Sequence, residues 1–173
     1  DPGLPATPRT LPAVDEGIVT LTATSEAGES PTPLQLRVAN LPNTLEQEPN
    51  NAREEGTAAT VPGAFEGILT EPGDIDHFKF TASKDQEFEV QLWGRTLGSP
   101  IDGVVRVRKA DGGVIAGNDD AAGLDSKMNV KIPEDGEYFL EVHDHLRRGG
   151  AAFAYRVEVA SQTPSLELRL DAA

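Results

Sequence analysis

Short runs in which apolar and polar residues alternate recur along most of this chain. A period of two places successive side chains on opposite faces of a β-strand. The clearest runs are 65–69, 77–82, 88–92, 105–107, 114–116, 128–132, 138–142 and 153–159. The 17 Gly and 13 Pro residues supply the turns between them. The sequence therefore predicts an all-β fold, a β-sandwich or jelly roll of about eight strands.

Two more alternating runs, 18–24 and 34–38, precede these strands and are separated by a turn-like stretch. They predict an extra N-terminal β-hairpin. We interpret residues 1–45 as a lead-in and hairpin from a preceding immunoglobulin-like module, and residues 46–160 as the sandwich. Residues 161–173 are then a linker and the start of the next module, with a strand predicted at 166–170.

The Ala-rich stretch 52–59 is the segment in which one or two helical turns are expected. Pro49 lies three residues before this stretch and disfavours a helix at Glu48, because the residue before proline is pushed toward an extended conformation. Helix is therefore a minor component of the predicted fold.

Composition narrows the classes of partner. The 29 acidic and 15 basic residues give a formal net charge of −14, which disfavours nucleic acid and anionic membrane surfaces as ligands. There is no cysteine, so disulfides and thiolate zinc sites are excluded. The sequence begins at Asp1, has no signal peptide and has no apolar run long enough to span a membrane. We expect a monomeric piece of a longer secreted, periplasmic or cell-surface protein.

Two short clusters of oxygen-bearing side chains stand in loop-prone contexts about two dozen residues apart. Their members are Glu46, Glu48, Asn50 and Asn51 in the first cluster, and Asp74 and Asp76 in the second. Ca²⁺ takes six to eight oxygen ligands and mixes carboxylates with carbonyls. Carboxylates gathered without a cation would repel one another. From the residues alone, a calcium site and a solvated acidic linker are both open.

A second acidic group follows in the chain, formed by Asp102, Asn118, Asp119, Asp120 and Asp125. These side chains could hold another cation, or they could cap backbone amides of a long loop. We favour loop capping, since Asp and Asn form such turns routinely. His143 and His145 could share one strand face, but no third metal ligand is evident, and we expect both to be exposed to solvent.

The order of the motifs resembles that of the bacterial pre-peptidase C-terminal domain. The pattern Glu-x-Glu-Pro-Asn-Asn is followed by Gly-Asp-x-Asp-x-Phe, and the similarity continues through residues 97–102, 118–120, 124–126, 136–142 and 155–159. Such domains are similar to the collagen-binding domains of clostridial collagenases, which are β-sandwiches with Ca²⁺ at the junction with the preceding linker. The resemblance implies that residues of the first cluster are linker ligands and that Asp74 and Asp76 are carboxylates of the facing loop.

The same resemblance implies a non-catalytic, calcium-binding accessory module of a large secreted multidomain bacterial protein. Such a module would bind a matrix or polymer, or act as a spacer. The acidic charge indicates that any ligand is neutral or cationic, such as a collagen-like polymer or a neutral polysaccharide. No Gly-x-Ser-x-Gly motif is present. A carbohydrate-active or hydrolytic domain that uses a carboxylate pair is the alternative.

Overall fold

The computed structural model describes residue 10 and residues 14–25, 28–120 and 123–162. The chain divides into two compact units between Asn40 and Leu41. In the described ranges, no helix has both the length and the apolar character needed to cross a membrane. The strand predicted at 166–170 and most of the predicted lead-in lie outside the described residues.

The first unit contains the predicted hairpin. Strand β1 (Gly17–Leu21) pairs antiparallel with β4 (Leu34–Val38). Between them, β2 (Thr24–Ser25) and β3 (Gly28–Glu29) form a short two-stranded sheet. The alternation in the sequence therefore predicted the pairing of the two longer strands correctly.

The second unit is a sandwich of two five-stranded sheets. Its strands are β5 (Asn43–Leu45), β6 (Thr57–Ala58), β7 (Gly63–Ile68), β8 (Asp76–Ala82), β9 (Glu87–Trp93), β10 (Gly103–Lys109), β11 (Val114–Asn118), β12 (Lys127–Lys131), β13 (Gly136–Asp144) and β14 (Ala154–Ser161). Sheet I has the order β11-β10-β13-β8-β6, and sheet II has the order β12-β9-β14-β7-β5. This architecture confirms the predicted all-β sandwich.

Aromatic side chains from both sheets meet in the core. The Phe65 ring of β7 stacks on Phe78 of β8 at a centroid distance of 5.0 Å and lies 6.4 Å from Phe80. Phe80 in turn stacks on Tyr138 of β13 at 6.0 Å. Because β7 belongs to sheet II while β8 and β13 belong to sheet I, these rings join the two layers.

The connection between β5 and β6 passes from one sheet to the other. Strand β5 pairs parallel with β7 at the edge of sheet II, and β6 pairs parallel with β8 at the edge of sheet I. We call residues 46–56 between them the crossover segment. Its single 3-10 turn, Arg53–Glu55, is the helical structure that forms within the Ala-rich stretch.

The prediction of one or two helical turns over residues 52–59 therefore holds for a single 3-10 turn and fails for residues 56–59. After the 3-10 turn, Gly56 is extended with φ −52° and ψ 132°. Thr57 and Ala58 then pair with Phe78 and Lys79 of β8. The edge of sheet I offers backbone hydrogen bonds here, and this tertiary pairing outweighs the helix propensity of alanine.

Removal of the Phe65 ring from the core should destabilise the domain. Phe65→Ala would leave a cavity between the sheets and lower the free energy of unfolding by about 3–5 kcal/mol. Urea denaturation followed by circular dichroism measures the change. Leu124→Ala is the control, since Leu124 is exposed and its truncation should change stability by less than about 0.5 kcal/mol. Equal effects of the two substitutions would contradict this assignment of the core.

Candidate cation site

Three carboxylates that are distant in sequence meet where the crossover segment passes the start of β8. Glu46, Glu48 and Asp76 each offer a carboxylate oxygen, and these oxygens all lie within 4.8 Å of one another. In the part of the chain that the structure describes, this is the group of His, Asp and Glu side chains that could jointly hold an ion. The structure thus brings the two predicted clusters together.

Hydrogen bonds with the backbone fix Glu46 and Glu48 of the crossover segment. The Glu46 N–H donates to the Glu66 carbonyl at 2.9 Å, and Glu46 Oε1 accepts from the Ile68 N–H at 2.8 Å. Glu48 Oε2 accepts from the Asn50 N–H at 2.9 Å. Both carboxylates therefore have defined positions, because each is tied to the main chain.

Asp74 and Asp76 are each hydrogen-bonded through one carboxylate oxygen. The Tyr155 hydroxyl donates to Asp76 Oδ2 at 2.5 Å, and its oxygen lies 3.5 Å from Glu46 Oε2. Asp74 Oδ2 accepts from the N–H of Thr70 at 2.5 Å and from its hydroxyl at 3.1 Å. In both aspartates, the interaction uses Oδ2 and leaves Oδ1 for another partner.

Several buried polar atoms in this region lack hydrogen bonds. Oδ1 of Asp74, Oδ1 of Asp76, and both Oδ1 and Nδ2 of Asn50 have no partner among the described residues. Asn50 and Asp76 are 0% exposed. A buried polar group without a partner costs about 1–3 kcal/mol. Unpaired oxygens gathered beside a carboxylate cluster are what a missing cation would leave behind.

Burial and neighbouring negative charges raise the pKa values of two carboxylates in the cluster. Burial raises the pKa of Asp76 to about 9, with further contributions from Glu46 and Asp74, although the hydrogen bond from Tyr155 opposes the shift. Burial, together with the nearby charges of Asp74 and Glu46, also raises the pKa of Glu48. Without a cation, Asp76 therefore carries a proton at neutral pH. A divalent ion could take the place of that proton.

Tyr155 is a site residue that sequence reasoning missed, because the alternation assigned it to the core. Its ring is buried in the core, while its hydroxyl reaches the carboxylates. Burial, followed by the charges of Asp76 and Glu46, raises the pKa of this phenol well above its ordinary value. Gly67 pairs with Tyr155, and any Cβ there would collide with the Tyr155 hydroxyl and the Glu46 carboxylate. Cross-strand register, which the sequence does not display, creates this contact.

Asn51 and His77 hold the crossover segment against the turn before β8. Asn51 Oδ1 accepts from the Ile75 N–H at 2.9 Å, so this predicted ligand oxygen already has a backbone partner. The His77 N–H donates to the Asn50 carbonyl at 3.1 Å. His77 lies on the side of β8 away from the core, and it is buried.

In the second acidic group, the contacts match the loop-capping alternative. Asp125 accepts from the N–H groups of Gly94, Arg95 and Thr96 at 3.1, 2.8 and 3.1 Å, and it thereby caps the 3-10 turn Arg95–Leu97. Asn118 Oδ1 accepts from the Lys127 N–H at 3.2 Å.

The remaining members of that group cap no backbone N–H among the described residues. Asp102 forms an ion pair with Arg95 at 3.3 Å, Asp119 lies 3.7 Å from His145, and Asp120 is exposed. His145 is exposed as predicted. The prediction that His143 is exposed was wrong: it is 4% exposed and lies 3.3 Å from Glu141.

The fold and the carboxylate cluster define a β-sandwich domain with a candidate cation site where a crossover segment joins its two sheets. A family model of the bacterial pre-peptidase C-terminal domain matches residues 74–144. The chain therefore contains a bacterial pre-peptidase C-terminal domain, as its motifs predicted. The matched residues include Asp74 and Asp76, whereas Glu46 and Glu48 lie before the match.

The chain is similar to one known protein in sequence and to another in fold. A probable subtilase-type serine protease of Deinococcus radiodurans is 41% identical over 76 residues, which are 43% of this chain and 10% of that protein. The match thus spans about a tenth of that relative's length. The crystal structure of the pre-peptidase C-terminal domain of a Bacillus anthracis collagenase has a TM-score of 0.51 at 18% identity, and the match covers 64% of this chain and 99% of that domain. The two domains share a fold.

The raised pKa of Asp76 predicts how stability varies with pH in the metal-free protein. The folded state holds the proton more tightly than the unfolded state, whose pKa is near 3.8. The resulting stabilisation is complete below that pH and is lost as the pH rises toward 9. Asp76→Asn removes this dependence but keeps an oxygen that can accept from Tyr155. Metal-stripped wild-type protein should therefore lose more thermal stability than the variant between pH 5 and pH 9.

Thermal unfolding in chelator-treated buffers measures this difference. When the same scans are run with calcium at pH 7.5, the wild type should gain stability and the variant should gain little, because the variant lacks the charged ligand. If the melting temperatures of both proteins varied with pH in the same way, Asp76 would titrate normally. That result would contradict the raised pKa of Asp76.

Proposed function

We propose that this domain binds one Ca²⁺ ion through Glu46, Glu48, Asn50, Asp74 and Asp76. The observation that carries the proposal is the set of buried, unpaired oxygens beside three converging carboxylates. All of the donors are oxygens, which suits a hard cation rather than zinc or copper. Ca²⁺ fits better than Mg²⁺, since the donors come from several segments and Mg²⁺ demands near-ideal octahedral geometry.

The bound ion would act as a structural clamp. Glu46 and Glu48 belong to the crossover segment, Asp76 begins β8 in sheet I, and the supporting Tyr155 belongs to β14 in sheet II. An ion at this point would neutralise the carboxylates and join the crossover segment to both sheets. Its binding free energy would add directly to folding free energy, because an unfolded chain has no preformed site.

We further propose that the domain is a non-catalytic accessory module of a secreted bacterial protease. The support is the relation to a probable subtilase-type protease and the fold shared with a collagenase domain. The net charge of −14 and the absence of cysteine suit a calcium-containing extracellular medium. A hydrolytic role is disfavoured, because Asp76, whose pKa is strongly raised, is fully buried and out of reach of a substrate.

Chelation provides the direct test. At calcium concentrations a hundredfold above the dissociation constant, the ion should contribute about 2.7 kcal/mol, which corresponds to a fall in melting temperature of roughly 5–10 °C when EDTA is added. Calcium should restore the loss more fully than magnesium. Glu48→Gln should reduce the calcium-dependent shift sharply because it removes a charged ligand.

Asn51→Ala serves as the comparison for Glu48→Gln. The Asn51 oxygen is already hydrogen-bonded to Ile75, so calcium affinity should fall less in this variant. Isothermal titration gives the affinities of wild type and both variants. An unchanged melting temperature on chelation would refute the calcium proposal, and equal affinities in all three proteins would refute the ligand set.

The outer face of sheet II is the surface that we propose for a polymer ligand. Trp93 lies on this face of β9, out of phase with the buried Phe88, Val90 and Leu92, and it is half-buried. Arg156 is its cross-strand partner on β14. An aromatic ring on a sheet face of an acidic domain suits a neutral or cationic polymer, such as collagen or a neutral polysaccharide.

Affinity chromatography on collagen and neutral polysaccharide resins tests this second proposal. Trp93→Ala should reduce retention of the domain, because the aromatic contact is lost. Val114→Ala is the matched control, since Val114 is an exposed apolar residue of β11 in sheet I. If wild type is not retained on any resin, or if both variants are retained equally, the outer face of sheet II is not a polymer-binding surface.

A further inference from the structure

The loop that follows β13, residues 145–150, is built around the buried carboxylate of Asp144. That carboxylate accepts from the N–H groups of Asp102, Leu146 and Arg148 at 2.9, 3.0 and 3.1 Å. The Arg148 guanidinium adds two parallel bonds, from Nε to Oδ1 at 3.0 Å and from Nη2 to Oδ2 at 2.7 Å. Bidentate pairing of this kind gives both strength and a defined geometry. We call residues 145–150 the buttress loop.

Contacts outside the loop make this arrangement more rigid. Arg148 Nη2 also donates to the Pro100 carbonyl at 3.2 Å, and its guanidinium carbon lies 5.5 Å from the centroid of the Phe153 ring. Although burial acts to raise the pKa of Asp144, hydrogen bonds from Arg148 and the backbone hold it at about 2. Asp144 is therefore ionised near neutral pH, and its ion pair with Arg148 persists there.

The buttress loop is hydrogen-bonded to the segment that leads to the cation site. The Gly73 N–H donates to the Arg147 carbonyl at 3.0 Å, and the Gly150 N–H donates to the Leu69 carbonyl at 2.8 Å. Gly149 passes so close to the Glu71 backbone that a Cβ on Gly149 would overlap the Glu71 carbonyl. Two hydrogen bonds and one close backbone approach thus fix the position of residues 69–73.

These residues in turn determine where the two aspartates lie. Glu71, Pro72, Gly73 and Asp74 form a tight turn, in which the Asp74 N–H donates to the Glu71 carbonyl at 3.2 Å and Gly73 has a φ of 93°. Proline followed by a glycine with positive φ is typical of a type II turn. Asp74 ends this turn, and Asp76 follows two residues later at the start of β8.

We infer that the buttress loop positions the aspartates of the cation site, with Asp144, Arg148 and Gly149 as positioning residues that do not themselves contact the ion. The inference rests on the calcium site proposed above. Outer residues that orient metal ligands commonly change affinity by about 10–100-fold when they are replaced. The contacts described above do not involve the crossover segment, so the loop acts on the aspartates and not through Glu46 or Glu48.

Gly149→Ala tests the inference most directly, because the added methyl must push the Glu71 backbone away. Gly136→Ala is a matched control, since a Cβ on Gly136 meets nothing within 4 Å. Isothermal calcium titration, run well below the melting temperatures, should show affinity about tenfold weaker for Gly149→Ala and unchanged for Gly136→Ala. Arg148→Gln, a change at a partly exposed side chain, should weaken affinity in the same direction.

Amide hydrogen exchange of the metal-free proteins supplies a second readout. Residues 70–76 should exchange faster in Gly149→Ala and Arg148→Gln than in wild type, and Gly136→Ala should match wild type. A purely structural role would lower the melting temperature without changing calcium affinity or exchange at 70–76, and that result would overturn the inference. If Gly149→Ala does not fold, Arg148→Gln decides the question by the same criteria.

The two proposals fail in different ways. If the wild type binds no calcium, the proposed function is wrong, and exchange at 70–76 still decides whether the buttress loop positions this segment. If the wild type binds calcium and both buttress variants bind it equally well, the calcium site stands and the positioning role is wrong.

Discussion

The carboxylate of Asp76 is the point on which the organisation of this domain depends. It begins β8 of sheet I, accepts a hydrogen bond from Tyr155 of sheet II, and lies beside Glu46 of the crossover segment. Removing a carboxylate from water is costly unless its charge is compensated. Here burial and like charges raise its pKa to about 9. The junction of the three segments is therefore incomplete without a proton or a cation.

The crossover segment explains why the junction matters to the whole sandwich. Its flanking strands β5 and β6 each add a parallel edge to a different sheet, and they are only three and two residues long. Strands this short contribute few hydrogen bonds of their own. The contacts of Glu46, Asn50 and Asn51 with β7 and the segment that enters β8 supply much of what holds the segment in place. A cation at Glu46, Glu48 and Asp76 would strengthen this attachment.

The sequence predicted the features that depend on a local residue pattern. It did not predict the features that depend on pairing between distant strands. Alternation located the long strands, and Phe78 and Phe80 face the core as the period of two requires. Strands β5 and β6 have no readable period, because parallel pairing with β7 and β8 defines them. The two acidic clusters were identifiable, since carboxylates and amides recur within a few residues. The role of Tyr155 was not, because a core pattern does not reveal that its hydroxyl reaches Asp76.

A comparison of three buried carboxylates explains why the proposed cation site lies at Asp76. Glu141 is also buried, but the imidazoles of His143 at 3.3 Å and His77 at 3.8 Å, together with a hydrogen bond from Arg108 at 2.5 Å, outweigh the effect of burial and hold its pKa well below the usual range. Asp144 is likewise compensated by Arg148. Adjacent strands β8 and β13 thus carry one carboxylate neutralised by basic side chains and another, Asp76, surrounded by acidic ones. Basic side chains balance the charge at Glu141 and Asp144, whereas at Asp76 a proton or a cation would have to do so.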